Sequence, residues 1–556
     1  MKQTFGTEAA LADVGTALSA WRREQPGSVS ARAAALDLLA VVEQQLAPEA
    51  PDDTGPKTWH DWLYSTGVPD FLECLADRQS REHWADLAFR AIEHSGYSLL
   101  TMLQQRVAVH PERVLFHDSR EANPASTYAQ VAWYTRTLAG VFLQSTLKEP
   151  RVAILCDNSI DSACTDLACL LYGILVSPLD VHFDAETLAW IFRRLAIDIV
   201  VTDSDERLAR LSEVRAILGR DFKVFRTGNR TTNTTVRGLE VTPLRHAAAR
   251  VDLTAIFARL ASRASDLFAP ATVMFTSGST GRPKGVVFSQ YSLVAKRFAR
   301  AAALPSVGRN EVLFCYLPLF HTFGRFFEML GAIYWGGTYV FASSPSAERL
   351  VTALGQVRPT GLIGVPARWA QIREHCLEAM DSEAEAAAQR AAFRKTVGDR
   401  LRWGVSAAGF LDPLVFRFFQ RHGVDLCSGF GMTEATGGIT MTPPGEYVDG
   451  SVGVPLPGMR LRFTPQHELQ IAGPYVARYL DEDAAPGSLA ALGANQDYWL
   501  STGDVFTVHS GGHLEIIDRV KDIYKNSRGQ TIAPQRIEQR FASVPGIRRT
   551  FVVGDH

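Results

Sequence analysis

The chain has 556 residues, of which 46% are hydrophobic, 21% charged and 10% aromatic. That composition suits three or four ordinary globular domains, or one large fold with additions, and it excludes disordered, collagen-like and small disulfide-stapled classes. Lys and Arg total 57 against 59 Asp and Glu, a formal net charge of -2, which is too balanced for a dedicated nucleic-acid binder.

Residues 1–97 read as a helical extension. Leu11, Val14, Leu18 and Trp21 recur at helical spacing, as do Leu36, Leu39, Val42 and Leu46, and Ser28 precedes an Ala/Leu run as a helix start would. A Pro/Asp/Gly loop (Pro48–Pro56) leads to a second set carrying Trp59, Trp62, Trp84, Leu87 and Phe89. A small bundle with a tryptophan-rich core accounts for this pattern; docking of a carrier or partner stays open. From about Ser98 short β-branched runs alternate with longer amphipathic ones. Strands are expected at Arg151–Leu155, Ile197–Thr202, Thr272–Thr276, Val312–Tyr316, Gly361–Val365 and Leu401–Val405. Helices are expected at Ala185–Leu195 and Asp412–His422, a buried helix at Ala163–Val176, and a surface helix at Glu383–Ala392. This alternation predicts an α/β fold in layers with parallel-rich sheets.

The seven cysteines form no CxxC pair, the start MKQTFGTEAALADVG lacks the apolar core of a signal peptide, and no apolar run approaches a membrane span. A cytoplasmic protein with no transmembrane segment, zinc site or disulfide framework is expected. The sequons at Asn229 and Asn233 are then incidental.

The most informative stretch is Val273–Gly285. An apolar strand runs into Thr276, Ser277, Gly278, Ser279, Thr280 and Gly281 and ends at Lys284. Glycines let backbone N–H groups turn toward an anion, hydroxyls add donors, and the lysine adds a mobile charge. This is the chemistry of a triphosphate cradle, but Lys284 follows Pro283 and no hydroxyl follows it, so it is not the Walker loop. A second cluster, Gly429-Phe-Gly-Met-Thr-Glu434, places a hydroxyl and a carboxylate after a strand at Asp425–Ser428 and a tight glycine turn. A carboxylate suits Mg2+, which usually takes one or two such ligands and fills the rest from phosphates and water.

Thr276–Gly285 resembles the signature loop of the adenylate-forming superfamily: acyl-CoA synthetases, peptide-synthetase adenylation domains and firefly-type luciferases. The resemblance runs from Ser98 to the end of the chain. It implies the multi-layered adenylate-forming fold: an adenylating large domain at 98–520, preceded by the all-α extension and followed by the start of the small C-terminal domain at 521–556. It implies that Phe430 stacks on adenine, Thr433 contacts the α-phosphate, and Glu434 holds Mg2+. It implies that Gly409, in Ser406–Leu411, helps bind the nucleotide, that Asp504 in Ser501-Thr-Gly-Asp504 accepts both ribose hydroxyls, and that Arg519 contacts the ribose. Lys521 falls at the hinge on which relatives rotate the small domain. His321, in Leu317-Pro-Leu-Phe-His-Thr-Phe-Gly-Arg325, occupies the family's gate-and-pocket position, although a lone histidine is more often a satisfied core residue. Arg528 stands where relatives commonly carry glycine, and would either narrow the pantetheine channel or bind its phosphate.

The resemblance implies ATP-dependent formation of an acyl-adenylate, then transfer to a thiol, CoA or phosphopantetheine. Peptide-synthetase domains place an aspartate where His321 stands. No Asp occurs from Val312 to Gly331 and Glu328 is the only acid there, so an α-ammonium would lie unpaired at high cost. The His-x-Phe-x-Arg pattern, Gly437–Gly445 and Ala533–Glu538 look most like the long-chain fatty acyl-CoA synthetase branch, with the acyl chain near Phe323, Val365, Ala408 and Phe410. A module that loads an acyl carrier protein or reductase domain, and a non-catalytic nucleotide- or lipid-binding scaffold, are the alternatives. Relatives carry a further lysine late in the small domain; only 36 residues run from Lys521 to His556, so a truncated form with slow adenylation is expected.

Overall fold

The computed structural model describes residues 13–48, 54–146, 148–263, 266–276, 282–308, 310–342, 347–381, 383, 385–481, 483–490, 492, 498–525, 531–539, 541, 547 and 550–554. Ser277, Gly278, Ser279, Thr280, Gly281 and Arg528 lie outside the described residues, as do Leu11 and the rest of the first twelve positions.

Local chemistry starts the N-terminal helices where the pattern places them. Asp13, Ser28 and Asp77 cap Val14–Arg22, Val29–Gln45 and Arg78–Ser95, each side chain accepting a backbone N–H three residues on. Pro56–Thr66 opens on proline, the residue whose missing N–H costs nothing there. Trp59, Trp62 and Trp84 are buried, and Trp84 Nε1 donates to Thr66 Oγ1 at 2.9 Å. Leu36 departs from expectation: it is 52% exposed, and Ala35 and Leu38 take the buried face with Leu39 and Val42. The extension does not bury its core alone. Trp84 packs on Phe298 at 5.8 Å, Phe89 on Tyr475 at 6.4 Å, and one contiguous apolar core runs from Val14 to Leu514.

Among the described residues two nine-stranded sheets follow. The first runs, in spatial order, Val454–Pro455, Gly437–Met441, Asp425–Met432, Trp403–Ala407, Gly361–Gly364, Val312–Cys315, Thr338–Phe341, Val114–Asp118 and Ala125–Thr127. Its central pairings are parallel and its edges antiparallel. The second runs Arg478–Tyr479, Lys284–Ser289, Pro270–Thr276, Leu175–Pro178, Arg151–Leu155, Ile199–Thr202, Lys223–Arg226, Leu239–Pro243 and Thr234–Val236, again parallel inside and antiparallel at the edges. The central strands Leu175–Pro178, Ile199–Thr202, Gly361–Gly364 and Trp403–Ala407 are buried at every position, as in parallel sheets covered on both faces. A four-stranded antiparallel sheet (Arg460–Phe463, Glu468–Ala472, Leu500–Val508, Leu514–Arg519) and the pair Tyr524–Lys525 with Thr531–Ile532 complete the order.

The expected buried helix at Ala163–Val176 divides in two. Ile160–Leu171 is helix, Gly173 turns at φ 63°, and Leu175–Pro178 is a strand. A Cβ on Gly173 would stand 2.5 Å from the Arg263 carbonyl oxygen, so only glycine fits this break. Asp425–Met432 also runs past its expected end at Ser428, because Gly429 and Phe430 keep pairing with Met441 and Thr440. The turn falls instead on Thr433–Ala435, a single 3-10 turn closed by Thr436 at φ 54°. All seven cysteines are buried and free. Among the described residues no helix is long and apolar enough to cross a membrane.

Candidate active site

The parallel strands of the first sheet end together. Cys315, Gly364, Ala407 and Gly429 lie at one edge, and chain leaving that edge carries Phe320–Arg325, Ala408–Phe410 and Phe430–Glu434. In open α/β sheets ligands bind outside the carboxyl ends of the strands. The Ala407↔Gly429 register sets Gly409 beside the strand of Phe430, and Ala408 holds φ 67° to make the exit. A Cβ on Gly409 would touch Pro366 at 3.4 Å, and one on Gly437 would stand 3.6 Å from Thr322. Gly409 thus lies against the exit of Gly361–Gly364, and Gly437 against the exit of Val312–Cys315.

The second sheet supplies the other wall. Strand Pro270–Thr276 lies antiparallel to Lys284–Ser289, with Thr276 and Lys284 directly paired, on either side of the expected phosphate loop. Lys284 is exposed at the tip, its Nζ 5.5 Å from the centroid of the Tyr479 ring. The Tyr479 hydroxyl donates to Glu434 Oε1 at 2.7 Å. Glu434 is buried, and its carbonyl accepts the Ala477 N–H at 2.7 Å. Thr433 is half-buried beside it. Among the described residues no group of three or more His, Cys, Asp or Glu gathers that could hold a metal. A divalent cation at Glu434 would need phosphate oxygens for most of its shell, which is how Mg2+ is usually held beside a nucleotide.

Phe430 lies edge-on to Phe506, centroids 5.0 Å apart at 70°. Phe506 shares a strand with Asp504, and Asp504 faces Arg519 across the next strand, Oδ1 to Nε 3.3 Å. The carboxyl is 9% exposed and the guanidinium 56%. Burial raises Asp504 above the ordinary carboxylate range, and Arg519 pulls it back. Asp518 is fully buried, its two oxygens accepting the backbone N–H groups of Arg519 and Gln535, each at 2.8 Å. It thus ties the helix Pro534–Gln539 to the strand before Lys521, which is itself exposed on a turn.

His321 is exposed at the start of a π-helical segment, Phe323–Met329. π-helical turns are rare and frequent at functional sites. Arg325 inside this segment is committed to the interior. It is fully buried, with Nε and Nη2 donating to Asp166 Oδ2 and Oδ1 at 2.8 and 2.6 Å and Nη1 to Thr272 Oγ1 at 2.9 Å. The ammonium partner that a peptide-synthetase pocket would need is also missing from the described wall. Glu328 is buried, accepts the Tyr339 hydroxyl at 3.0 Å, and burial pushes its carboxyl far above the usual range. Sequence reasoning missed Tyr479 and Asp166. Tyr479 sits in a two-residue edge strand with no periodicity to detect, and Asp166 inside an apolar run was the available signal for a buried partner.

The model of the family described as AMP-binding enzyme matches residues 103–478. The chain belongs to the AMP-binding enzyme family. It is an acid–thiol ligase of that adenylate-forming class. Long-chain-fatty-acid–CoA ligase FadD15 of Mycobacterium bovis is 28% identical over 443 residues, covering 73% of this chain and 71% of that protein. Long-chain-fatty-acid–CoA ligase 6 of Mus musculus is 26% identical over 488 residues, covering 77% of this chain and 67% of that protein. The crystal structure of the anthranilate CoA ligase AuaEII in complex with anthranoyl-AMP superposes with a TM-score of 0.67 at 17% identity, covering 83% of this chain and 85% of that one. O-succinylbenzoate coenzyme A synthetase from Bacillus subtilis, solved with ATP and magnesium ion, gives 0.62 at 20% identity, covering 82% and 86%. The AMP-binding enzyme therefore shares the fold of CoA ligases.

Proposed function

We propose that this enzyme activates a medium- or long-chain fatty acid with ATP and transfers the acyl group to the thiol of CoA. The observation that carries the reading is the meeting of Lys284 and Glu434 at Tyr479, from two different sheets, with Phe430 on the same strand-and-turn as Glu434 and packed on Phe506, two residues from Asp504 and its partner Arg519. The long-chain-fatty-acid–CoA ligases among its relatives support the acid and the acceptor.

In the first step a carboxylate oxygen attacks the α-phosphorus of ATP. The bond to the β-phosphate bridging oxygen breaks, and pyrophosphate leaves with that electron pair. Such a transfer needs positioning and charge stabilisation more than proton movement. Lys284 and the loop Thr276–Gly281 would hold the β- and γ-phosphates, and Thr433 would donate to the α-phosphate. Bound Mg2+ would neutralise phosphate charge, with Glu434 as its protein ligand. Phe430 and Gly409 would seat the adenine; Asp504 would accept the ribose hydroxyls with Arg519 beside it. In the second step a thiolate attacks the acyl carbonyl, the bond to the phosphate oxygen breaks, and AMP leaves. His321 would stand at the mouth of the acyl pocket and Lys521 at the hinge between the 98–520 unit and the residues after it. Glu328, buried and already accepting the Tyr339 hydroxyl, supports an acid without an α-ammonium.

Incubation with ATP, Mg2+, CoA and a mixed pool of fatty, aromatic and amino acids, read by mass spectrometry, tests this. Medium- or long-chain acyl-CoA is the expected product. An amino-acyl or aryl product would overturn the substrate class. Acyl transfer that appears only when a phosphopantetheinylated carrier protein replaces CoA would overturn the acceptor.

A further inference from the structure

We propose that Tyr479 is a positioning residue that fixes the Glu434 carboxylate and holds the Lys284 ammonium apart from it, so that a divalent cation and a triphosphate can enter between them. This inference rests on the nucleotide reading of the cleft given above.

The geometry begins with strand register. Tyr479 pairs with Val286, and Arg478 with Val287, so the edge strand lies antiparallel on Lys284–Ser289. Lys284 and Val286 share a face because side chains alternate along a strand. A side chain opposite Val286 therefore lies diagonally across from Lys284, within reach of a long aromatic. The phenol fills that reach: its ring stands 5.5 Å from Lys284 Nζ, inside the range of a cation–π contact. The same phenol donates to Glu434 Oε1 at 2.7 Å. Its strand is pinned on both sides, by Leu480 N–H on the Gly285 carbonyl at 2.8 Å and by Ala477 N–H on the Glu434 carbonyl at 2.7 Å. Thr436 Oγ1 adds a bond to the Tyr475 carbonyl at 2.7 Å. Residues 475–480 thus clamp the Glu434 turn of one sheet to the Lys284 strand of the other.

Two consequences follow from the chemistry of the phenol. A hydrogen bond on Oε1 leaves Oε2 as the oxygen that can face a cation, and the described residues give Oε2 no hydrogen-bond partner. The ring also touches the cation while its hydroxyl touches the anion, and the two form no salt bridge among the described residues. Without it a flexible lysine could close on the carboxylate and fill the space the phosphates need.

The test uses the whole chain, Mn2+ as a spectroscopically visible stand-in for Mg2+, and a non-hydrolysable ATP analogue. Electron paramagnetic resonance reads Mn2+–nucleotide binding; calorimetry in EDTA reads AMP binding without metal. Tyr479→Phe keeps the ring and removes the donor. It should weaken Mn2+–nucleotide binding about 10–100-fold, the usual effect of losing a partner that orients a metal ligand, and leave metal-free AMP binding unchanged. Tyr479→Ala removes the spacer as well and should weaken the triphosphate analogue even in EDTA. Glu434→Gln is the benchmark. If Glu434→Gln weakens Mn2+ binding and Tyr479→Phe does not, the positioning role is wrong while the nucleotide reading stands. If Tyr479→Phe weakens AMP binding in EDTA as much as Mn2+ binding, its role is general packing and the inference fails. If Glu434→Gln binds Mn2+ as the native chain does, the Glu434 assignment fails and takes this inference with it. If Tyr479→Ala matches Tyr479→Phe on the metal-free analogue, the spacer half is refuted.

Discussion

Arg325→Met should be among the most destabilising single changes in the molecule. The guanidinium and the Asp166 carboxylate are 0% and 3% exposed and are joined by two bonds, at 2.6 and 2.8 Å. Arg325 also donates to Thr272 Oγ1, which donates in turn to the Val176 carbonyl at 2.7 Å. Removing the cation leaves an ionised carboxylate in the interior with nothing to answer it. Breaking one side of such a pair costs about 3–5 kcal/mol. At the usual unfolding entropy per residue, a cooperative unit of this size moves its melting temperature by about 1 °C per kcal/mol, so a fall of about 3–5 °C is expected. Scanning calorimetry reads it. The double variant Asp166→Leu/Arg325→Met should recover most of the loss, because replacing a whole buried pair by apolar groups is often neutral or better. Arg325 thereby anchors the π-helical segment Phe323–Met329 to the helix Ile160–Leu171 through Asp166 and to the strand Pro270–Thr276 through Thr272. Affinity for a fatty acyl ligand should therefore fall more than affinity for AMP. A melting temperature within about 1 °C of native for Arg325→Met, or a double variant no better than the single, would refute the reasoning.

Lys296 is fully buried, its ammonium over the Tyr475 ring at 3.8 Å and bonded to the Gly438 carbonyl, and burial lowers its pKa well below the lysine range. Between the lowered pKa and the unfolded value the unfolded chain binds more protons, so stability rises with pH across that window; Lys296→Met should flatten the rise in melting temperature measured from neutral to alkaline pH. Asp504 is raised by burial, so its folded form holds a proton more tightly than the unfolded chain and loses stability as pH rises through that raised pKa. Asp504→Asn should raise the melting temperature at neutral pH, with the gain vanishing in acid, while calorimetry shows weaker AMP binding. Trp84→Ala, removing a ring buried against Phe298, should cost about 3–5 kcal/mol and lower the main calorimetric transition; a separate early transition confined to the first hundred residues would contradict the shared core.

Where short-range chemistry decides structure, the sequence was legible. Arg151–Leu155 and Ala185–Leu195 form as expected to the residue, because β-branched alternation and a capped amphipathic stretch act locally. The run Ala163–Val176 was misread because a buried helix and a buried parallel strand look alike in composition, and the break at Gly173 is set by the Arg263 backbone ninety residues away. Phe430 and Gly431 read as a turn but remain strand, since a Cβ on Gly431 would lie 1.7 Å from the Gly437 carbonyl oxygen; the glycine permits close pairing rather than a bend. Lys284, Glu434, Phe430 and Asp504 were visible as candidates because each stands in a contiguous motif. Arg325 was grouped with the pocket, yet its partners lie on a helix and a strand far away in the chain. Tyr479 acquires meaning only through its register with Val286, and long-range pairing leaves no local mark.

The central claim is that one cleft holds an acyl group and an adenylate together. Calorimetry with a fatty-acyl sulfamoyl adenosine, a stable mimic of the acyl-adenylate, tests it without requiring turnover. The mimic should bind at least about 100-fold more tightly than AMP, as intermediate-like ligands do, and Asp504→Ala should weaken both. A mimic that binds no more tightly than AMP, or that is indifferent to Asp504→Ala, would contradict the account.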